Sequence, residues 1–211
     1  MLTRCRPTAK LPVKPKEWGI DLLSASGHKL HAPKGTGFLY VRDGVRLAPQ
    51  MTGGGQESAL RSGTENMPGI CALGLAAEIA YRNTEGNMKT AAAVKESLLC
   101  GLADLEDWQV NSPEDALPNV LNISFGGVKS EVLLHMLEQA GLLVASGSAC
   151  AAKKDRLSHV LQAMGFDRAR IEGAIRFSFS SLSTVEEAEL AAKIVCREVR
   201  ELRAVLRPAG R

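Results

Sequence analysis

Aromatic side chains are scarce. Two Trp, two Tyr and five Phe make up 4% of the 211 residues, which leaves few platforms on which bases could stack. Charge of one sign is equally thin: Lys+Arg number 26 against Asp+Glu 23, a net +3 spread along the chain. No basic stripe follows from that balance, and nucleic acid is not expected as a partner. Long apolar runs are missing as well. The stretch 70–77 ends at Glu78, far short of the roughly 18 residues of a membrane helix, so no membrane span is expected. The first 21 residues are basic and carry no apolar stretch of the kind found in secretory signals. The cysteines Cys5, Cys71, Cys100, Cys150 and Cys196 are odd in number and include no C-x-x-C pair. That pattern fits neither a disulfide framework nor a zinc knuckle, so a reducing setting, cytoplasmic or the interior of an organelle, without a metal site is expected.

What is present is ordinary globular material, 45% apolar and 23% charged, enough to bury a core and to exclude disorder over most of the chain. Residues 20–24 and 37–41 read as short strands around a Gly/Pro-containing loop. A helix is expected from Asn66, with Pro68 in its first turn and Ile70, Leu73, Ala77 and Tyr81 on one stripe. A second follows from Asn87, carried by Ala91, Val94, Leu98, Leu102 and Leu105. Strands are expected at 120–125, 142–145 and 174–180. Between the first two lies a helix capped by Ser130, with Val132, Leu133, Met136, Leu137 and Ala140 inward and Gly141 at its end. Thr184 with Glu187 makes a capping box for a last helix that turns Ala191, Val195, Val199, Leu202 and Leu206 inward. Cys71, Cys100 and Cys196 fall on or near these stripes and read as core thiols. Alternating strands and helices make the chain α/β or α+β, divided near residues 86–108, with ligands expected at the seam.

Four segments could carry chemistry. In Ser24-Ala-Ser-Gly-His28-Lys29-Leu-His31 a lysine at the end of a buried strand sits beside His and small hydroxyl residues. Partial desolvation there would favour the free amine that Schiff-base chemistry needs. In Gly53-Gly-Gly-Gln56 through Arg61, Gly63, Thr64 and Asn66, backbone N–H groups and a Thr hydroxyl near a helix start make an anion cradle. No Lys follows the glycines, so this is not a Walker loop. Cys150 lies in the small-residue run Ser146-Gly-Ser-Ala-Cys-Ala-Ala, with Lys153 and Lys154 close by to favour a thiolate. Arg176 interrupts the apolar strand Ile175-Arg-Phe-Ser178 and requires a partner, either a structural carboxylate or an anionic ligand.

Taken in order, the segments DLLSASGHKLHAPKGTGFLYVR, GGGQESALRSGTEN, LPNVLNISFGGVKSEVLL, SGSAC, LSHVLQAMG and IRFSFS resemble the cysteine desulfurases, pyridoxal-phosphate (PLP) enzymes of fold type I, aminotransferase class V. The resemblance runs from about Lys10 to the last helix. It implies a partial fold-type I large domain over residues 1–86 and an α+β C-terminal small domain over 87–211. Position by position, Lys29 would hold the cofactor covalently, Ser26 and His28 would bind its phosphate, and Thr64 would reach the phosphate of a neighbouring subunit in a homodimer. Arg176 would clamp the carboxylate of L-cysteine, supported by Asn119 or Asn122. Cys150 would take the substrate sulfur as a persulfide, leaving L-alanine. The SGSAC form of the loop looks like that of the group that delivers sulfur to an iron–sulfur scaffold or another acceptor protein.

Family members are longer at the N-terminus. The positions at which they carry an Asp for the pyridine nitrogen and a Gln for the ring oxygen fall on Thr3 and Arg6, neither of which does that work. Two further readings stand beside the desulfurase. One is a catalytically inactive, truncated remnant that acts as a binding or dimerisation module. The other is a class V aminotransferase or lyase, which the swinging thiol of SGSAC disfavours.

Overall fold

The computed structural model describes residues 12–146 and 157–206, and these form two compact units that divide between Glu85 and Gly86. In the first unit, strand β1 (Leu22–Ser26) pairs antiparallel with β2 (Gly37–Val41), Leu22 opposite Val41 and Ser26 opposite Gly37. β1 lies two residues later than the apolar pattern suggests: its ladder with β2 begins at the Leu22–Val41 pair and takes in Ser24 and Ser26. Gly37 is needed at the tight end of the hairpin, where a Cβ would lie 2.5 Å from the Ala25 carbonyl. A 3-10 turn, Gly27–Leu30, follows β1 directly and ends on His31 in the left-handed region (φ 65°).

Helix α1 (Met67–Arg82) starts as its sequence requires: Asn66 accepts from Gly69 N with its side chain, and Pro68 sits in the first turn. Its buried stripe is narrower than the periodicity implies. Leu73 is buried with Leu30 and Ala32, and Ala76, Ala77 and Ala80 pack against them; Ile70 and Tyr81 are exposed.

The second unit is an antiparallel four-stranded sheet with helices packed on it, an α+β arrangement. The strands are β3 (Trp108–Val110), β4 (Val120–Phe125), β5 (Ala145–Ser146) and β6 (Ala174–Ser178), in the spatial order β3-β4-β6-β5. The helices are α2 (Thr84–Gly101), α3 (Ser130–Gln139), two short ones, α4 (His159–Ala163) and α5 (Arg168–Glu172), and the long α6 (Val185–Leu206). Side chains alternate across the sheet. Leu121, Ile123, Phe125, Ile175 and Phe177 face a core built with Val94 and Leu98 of α2, Leu133 and Leu137 of α3, and Val195 and Val199 of α6. The opposite face carries Asn122, Ser124 and Arg176, with a small cluster of Leu161, Ile171 and Ala174 beside them.

The expected capping box of α6 is present in both directions: Glu187 N donates to Thr184 Oγ1 at 3.2 Å and Thr184 N to Glu187 Oε2 at 3.0 Å. Other expectations need correction. Ser130 is the first residue of α3, and Lys129 is its cap, without a side-chain bond. The apolar run 142–145 pairs only at Ala145 and Ser146, and Leu143 is 80% exposed. Cys71 and Cys100 are exposed, and only Cys196 among the described thiols is buried. Both exposed thiols stand two residues from a buried stripe position, Cys71 from Leu73 and Cys100 from Leu98; two residues are about 200° of helix, which turns the side chain outward.

Candidate functional site

The first group of candidate residues is held on one turn. Ser26 ends β1 and caps the 3-10 turn without a side-chain bond to it, so its hydroxyl is not consumed by the helix end. His28 is exposed and Lys29 half-buried. Their backbone is fixed from below: Leu30 and Ala32 are buried against Leu73 of α1, Ala32 N donates to Gly27 O at 3.1 Å, and Gly27 N to Thr36 O at 2.8 Å. Gly27 is packed so closely that a Cβ there would collide with the Thr36 hydroxyl. A hydroxyl, an imidazole and a primary amine thus share one anchored turn, a donor set whose chemistry fits a phosphate and an aldehyde.

The glycine-rich segment is built differently from the expected cradle. Asn66 caps α1, while Thr64 is exposed and lies three residues before the helix. Upstream, Glu57, Ser58 and Ala59 hold left-handed backbone (φ 48°, 56° and 61°), a conformation that costs roughly 1 kcal/mol or more for each L-residue. The Ser62 hydroxyl, donating towards Met51 O and Thr52 O at 3.1 and 2.9 Å, and Gly63 N, donating to Gln56 Oε1 at 3.2 Å, staple the loop in place.

In the second unit Arg176 lies mid-strand, opposite Asn122 on β4 and Ala145 on β5. It is half-buried, and its Nε is buried without a hydrogen-bond partner. Among the described residues no carboxylate pairs with it, which leaves a buried donor without an acceptor among them. Asn119 is 6% exposed and precedes β4 by one residue; its carbonyl accepts from Phe179 N at 2.9 Å, and its Oδ1 is buried without a partner. Alternation along the ladder puts Asn119 on the face of Leu121, away from Arg176. The register sets Asn122 opposite Arg176, while Asn119 stands just outside β4. Cys150, with Lys153 and Lys154, lies outside the described residues.

Sequence reasoning passed over two residues of this face. Asn111 is 3% exposed; its Nδ2 donates to Asn122 Oδ1 at 2.6 Å and to Ser124 Oγ at 2.7 Å. Arg170, stacked 3.9 Å from the centre of the Phe166 ring, donates from Nε to Asn111 Oδ1 at 2.7 Å and from Nη2 to Val110 O at 2.9 Å. The available signal was weak. Asn111 is a polar residue directly after a short apolar alternation, and Arg170 belongs to a helix too short to show a period.

Comparisons with known proteins agree in kind. Residues 6–190 match the aminotransferase class-V family. A cysteine desulfurase of Gluconacetobacter diazotrophicus is 41% identical over 196 residues, 92% of this chain and 49% of that protein. A putative cysteine desulfurase IscS 1 of Bacillus subtilis is 44% identical over 195 residues, 91% of this chain and 52% of its own length. Among solved structures, a NifS-like protein superimposes with a TM-score of 0.82 at 36% identity, covering 92% of this chain and 50% of that one. The chain spans about half the length of the curated relatives it matches, and its fold is the corresponding part of the PLP fold-type I architecture. With the match extending over most of its residues, the chain belongs to the aminotransferase class-V family.

Proposed function

We propose that this chain carries the working residues of a cysteine desulfurase, which removes sulfur from L-cysteine with PLP and passes it to an iron–sulfur scaffold or another acceptor protein. The observation that carries the reading is Arg176: a guanidinium set into a strand, with Nε buried and unpaired, is a site for a small carboxylate. Bidentate recognition of a carboxylate is the task guanidinium geometry suits best.

Lys29, Ser26 and His28 would hold the cofactor in this reading, with Lys29 as its covalent anchor and the other two as phosphate donors. Thr64 serves the phosphate of a second subunit, which makes the working form a homodimer. When bound, PLP supplies an electron sink that weakens bonds around the substrate α-carbon. The chain's own residues do the rest. Arg176 fixes the carboxylate, and Asn122 takes the supporting role in place of Asn119, because it shares Arg176's face. Lys29 exchanges protons with the substrate carbon. Cys150 receives the sulfur. The net reaction balances: L-cysteine and the Cys150 thiol give L-alanine and a Cys150 persulfide, with the substrate C–S bond broken and one S–S bond formed. The first unit corresponds to part of the large, PLP-binding domain (1–86), the second to the small domain (87–211), and the setting is the cytoplasm.

A second reading is favoured by one observation. The positions expected to carry the pyridine-nitrogen carboxylate and its companion are Thr3 and Arg6. On that ground the isolated chain is a non-catalytic binding or dimerisation module. The two readings separate in one assay, sulfide and persulfide production from L-cysteine by the purified chain with added PLP, alongside Cys150→Ser and Lys29→Ala. Turnover that both substitutions abolish supports the desulfurase. Absence of turnover and of a lysine-bound PLP absorbance supports the module.

A further inference from the structure

The polar face of the second sheet carries three residues in one row: Asn111 after β3, Asn122 on β4 and Arg176 on β6. Asn122 pairs with Arg176 in the ladder, and Asn111 N donates to Asn122 O at 2.8 Å, which continues the β3–β4 register by one residue. At one end of the row stands Arg170, whose guanidinium can only donate hydrogen bonds. This fixes the direction of the whole chain of contacts.

Because Arg170 Nε donates at 2.7 Å, the Asn111 atom facing it must be the carbonyl oxygen. Asn111 therefore presents Nδ2 to its other neighbours, and both are acceptors: Asn122 Oδ1 at 2.6 Å and Ser124 Oγ at 2.7 Å. Ser124 spends its own proton on Arg170 O at 2.6 Å, so it can do nothing else but accept from Asn111. Asn122 in turn must present Oδ1 towards β3. Its Nδ2 is left on the side away from β3, where β6 and Arg176 lie. Asn111 and Ser124 are 3% and 4% exposed, so water has little access to the bond between them, and in such a setting each bond strengthens the next.

We infer that Arg170, Asn111 and Ser124 are positioning residues: they orient the Asn122 amide so that its N–H group stands beside the unpaired Arg176 Nε as a second donor to the same carboxylate. The alternative orientation would set Asn122 Oδ1 beside Arg176. Nε would then be satisfied internally, and that donor would be lost to an anion. The polarity of a half-buried amide, and not only the presence of an arginine, sets how well the face binds carboxylates. The inference rests on the proposed assignment of Arg176 to the substrate carboxylate.

Asn111→Asp tests the direction of the relay. Aspartate is nearly isosteric and keeps the contact to Arg170, but it cannot donate to Asn122. The Asn122 amide must then turn to donate towards residue 111, which brings Oδ1 to Arg176. The probe is L-cysteine, with cysteamine as its carboxylate-free counterpart, titrated into the full chain while the Arg176 Nε–H signal is followed by NMR. L-cysteine shifts that signal in the wild-type chain and cysteamine does not. Asn122→Ala weakens L-cysteine binding about tenfold, the size of one hydrogen bond to a charged group, and Asn111→Asp weakens it by at least as much.

A new negative charge could lower affinity by itself, so the double variant decides. With Asn122 already Ala, Asn111→Asp causes no further loss if it acts through the amide. Three outcomes overturn the inference: unchanged affinity in Asn111→Asp, the same loss with and without Asn122, or no response of Arg176 to L-cysteine in the wild-type chain. Failure of the sulfur assay with this cycle intact removes the desulfurase reading and leaves the carboxylate relay standing. Success of the assay with a flat cycle removes only the relay.

Discussion

Burial pushes the Cys196 thiol above its ordinary range, with Asp104 adding to the effect and Arg200 opposing it. Its Sγ donates to the Gly101 carbonyl at 3.6 Å, which holds the proton in place. Cys71 and Cys100 lack that shelter and are exposed. A raised thiol pKa means less thiolate at any given pH, and thiolate is the species that alkylates. Iodoacetamide at mildly alkaline pH is therefore expected to label Cys71 and Cys100 fast and Cys196 only on unfolding, as read by peptide mass mapping over time. Labelling of Cys196 at the rate of Cys100 in the folded chain would contradict this ordering. The same sign governs stability: the folded state holds the proton more tightly, so this contribution is full below the ordinary thiol range and fades as pH rises through it towards the folded pKa.

At the scale of elements, α6 shows how far local chemistry specifies structure. Thr184 and Glu187 satisfy two of the first N–H groups of a 22-residue helix reciprocally. The helix buries Ala188, Ala192, Val195, Val199 and Leu202 at spacings of three and four. Thr184→Ala is expected to lower stability by about 1 kcal/mol, read as a lower denaturant midpoint with an unchanged slope, while Thr184→Ser retains most of it. No shift on Thr184→Ala would mean that the cap adds nothing beyond the packed face.

Elements with a full period were legible in the sequence: β4 to the residue, from Leu121, Ile123 and Phe125, and α2 from Val94 and Leu98. Where the period was short or misleading, reading failed. α4 and α5 have five residues each, fewer than two turns, and the apolar run at 142–145 reflects a segment whose Leu143 stays in solvent. For the candidate site, Lys29 and Arg176 stood out as residue types in unusual places. Asn111 and Arg170 did not, because 59 residues separate them and their partnership exists only once β3 and α5 are folded together.

For the whole molecule, the two units differ in how much core each holds. The second unit gathers eighteen buried side chains into one cluster spanning α2, β4, α3, β6 and α6. The corresponding cluster in the first unit consists of Leu30, Ala32 and Leu73. The first unit also leaves Trp18, Leu39, Met67, Leu75 and Ile79 more than half exposed, and among the described residues each strand of its two-stranded sheet has an open edge. Local opening costs less where fewer apolar contacts must be broken, and an isolated hairpin is marginal in water unless something packs on it. In native-state hydrogen exchange, amides of β4, β6 and the middle of α6 are expected to exchange only through global unfolding. Those of β1 and β2 should open at least about 2 kcal/mol more easily, a thirtyfold difference in rate. Because Lys29 follows directly on β1, loose protection there would mean that the turn carrying Lys29 belongs to a less stable body than the strand carrying Arg176. Equal protection in β1 and β4 would show instead that the exposed apolar side chains of the first unit are covered in solution, and the oligomeric state by sedimentation would then show whether a second copy does the covering.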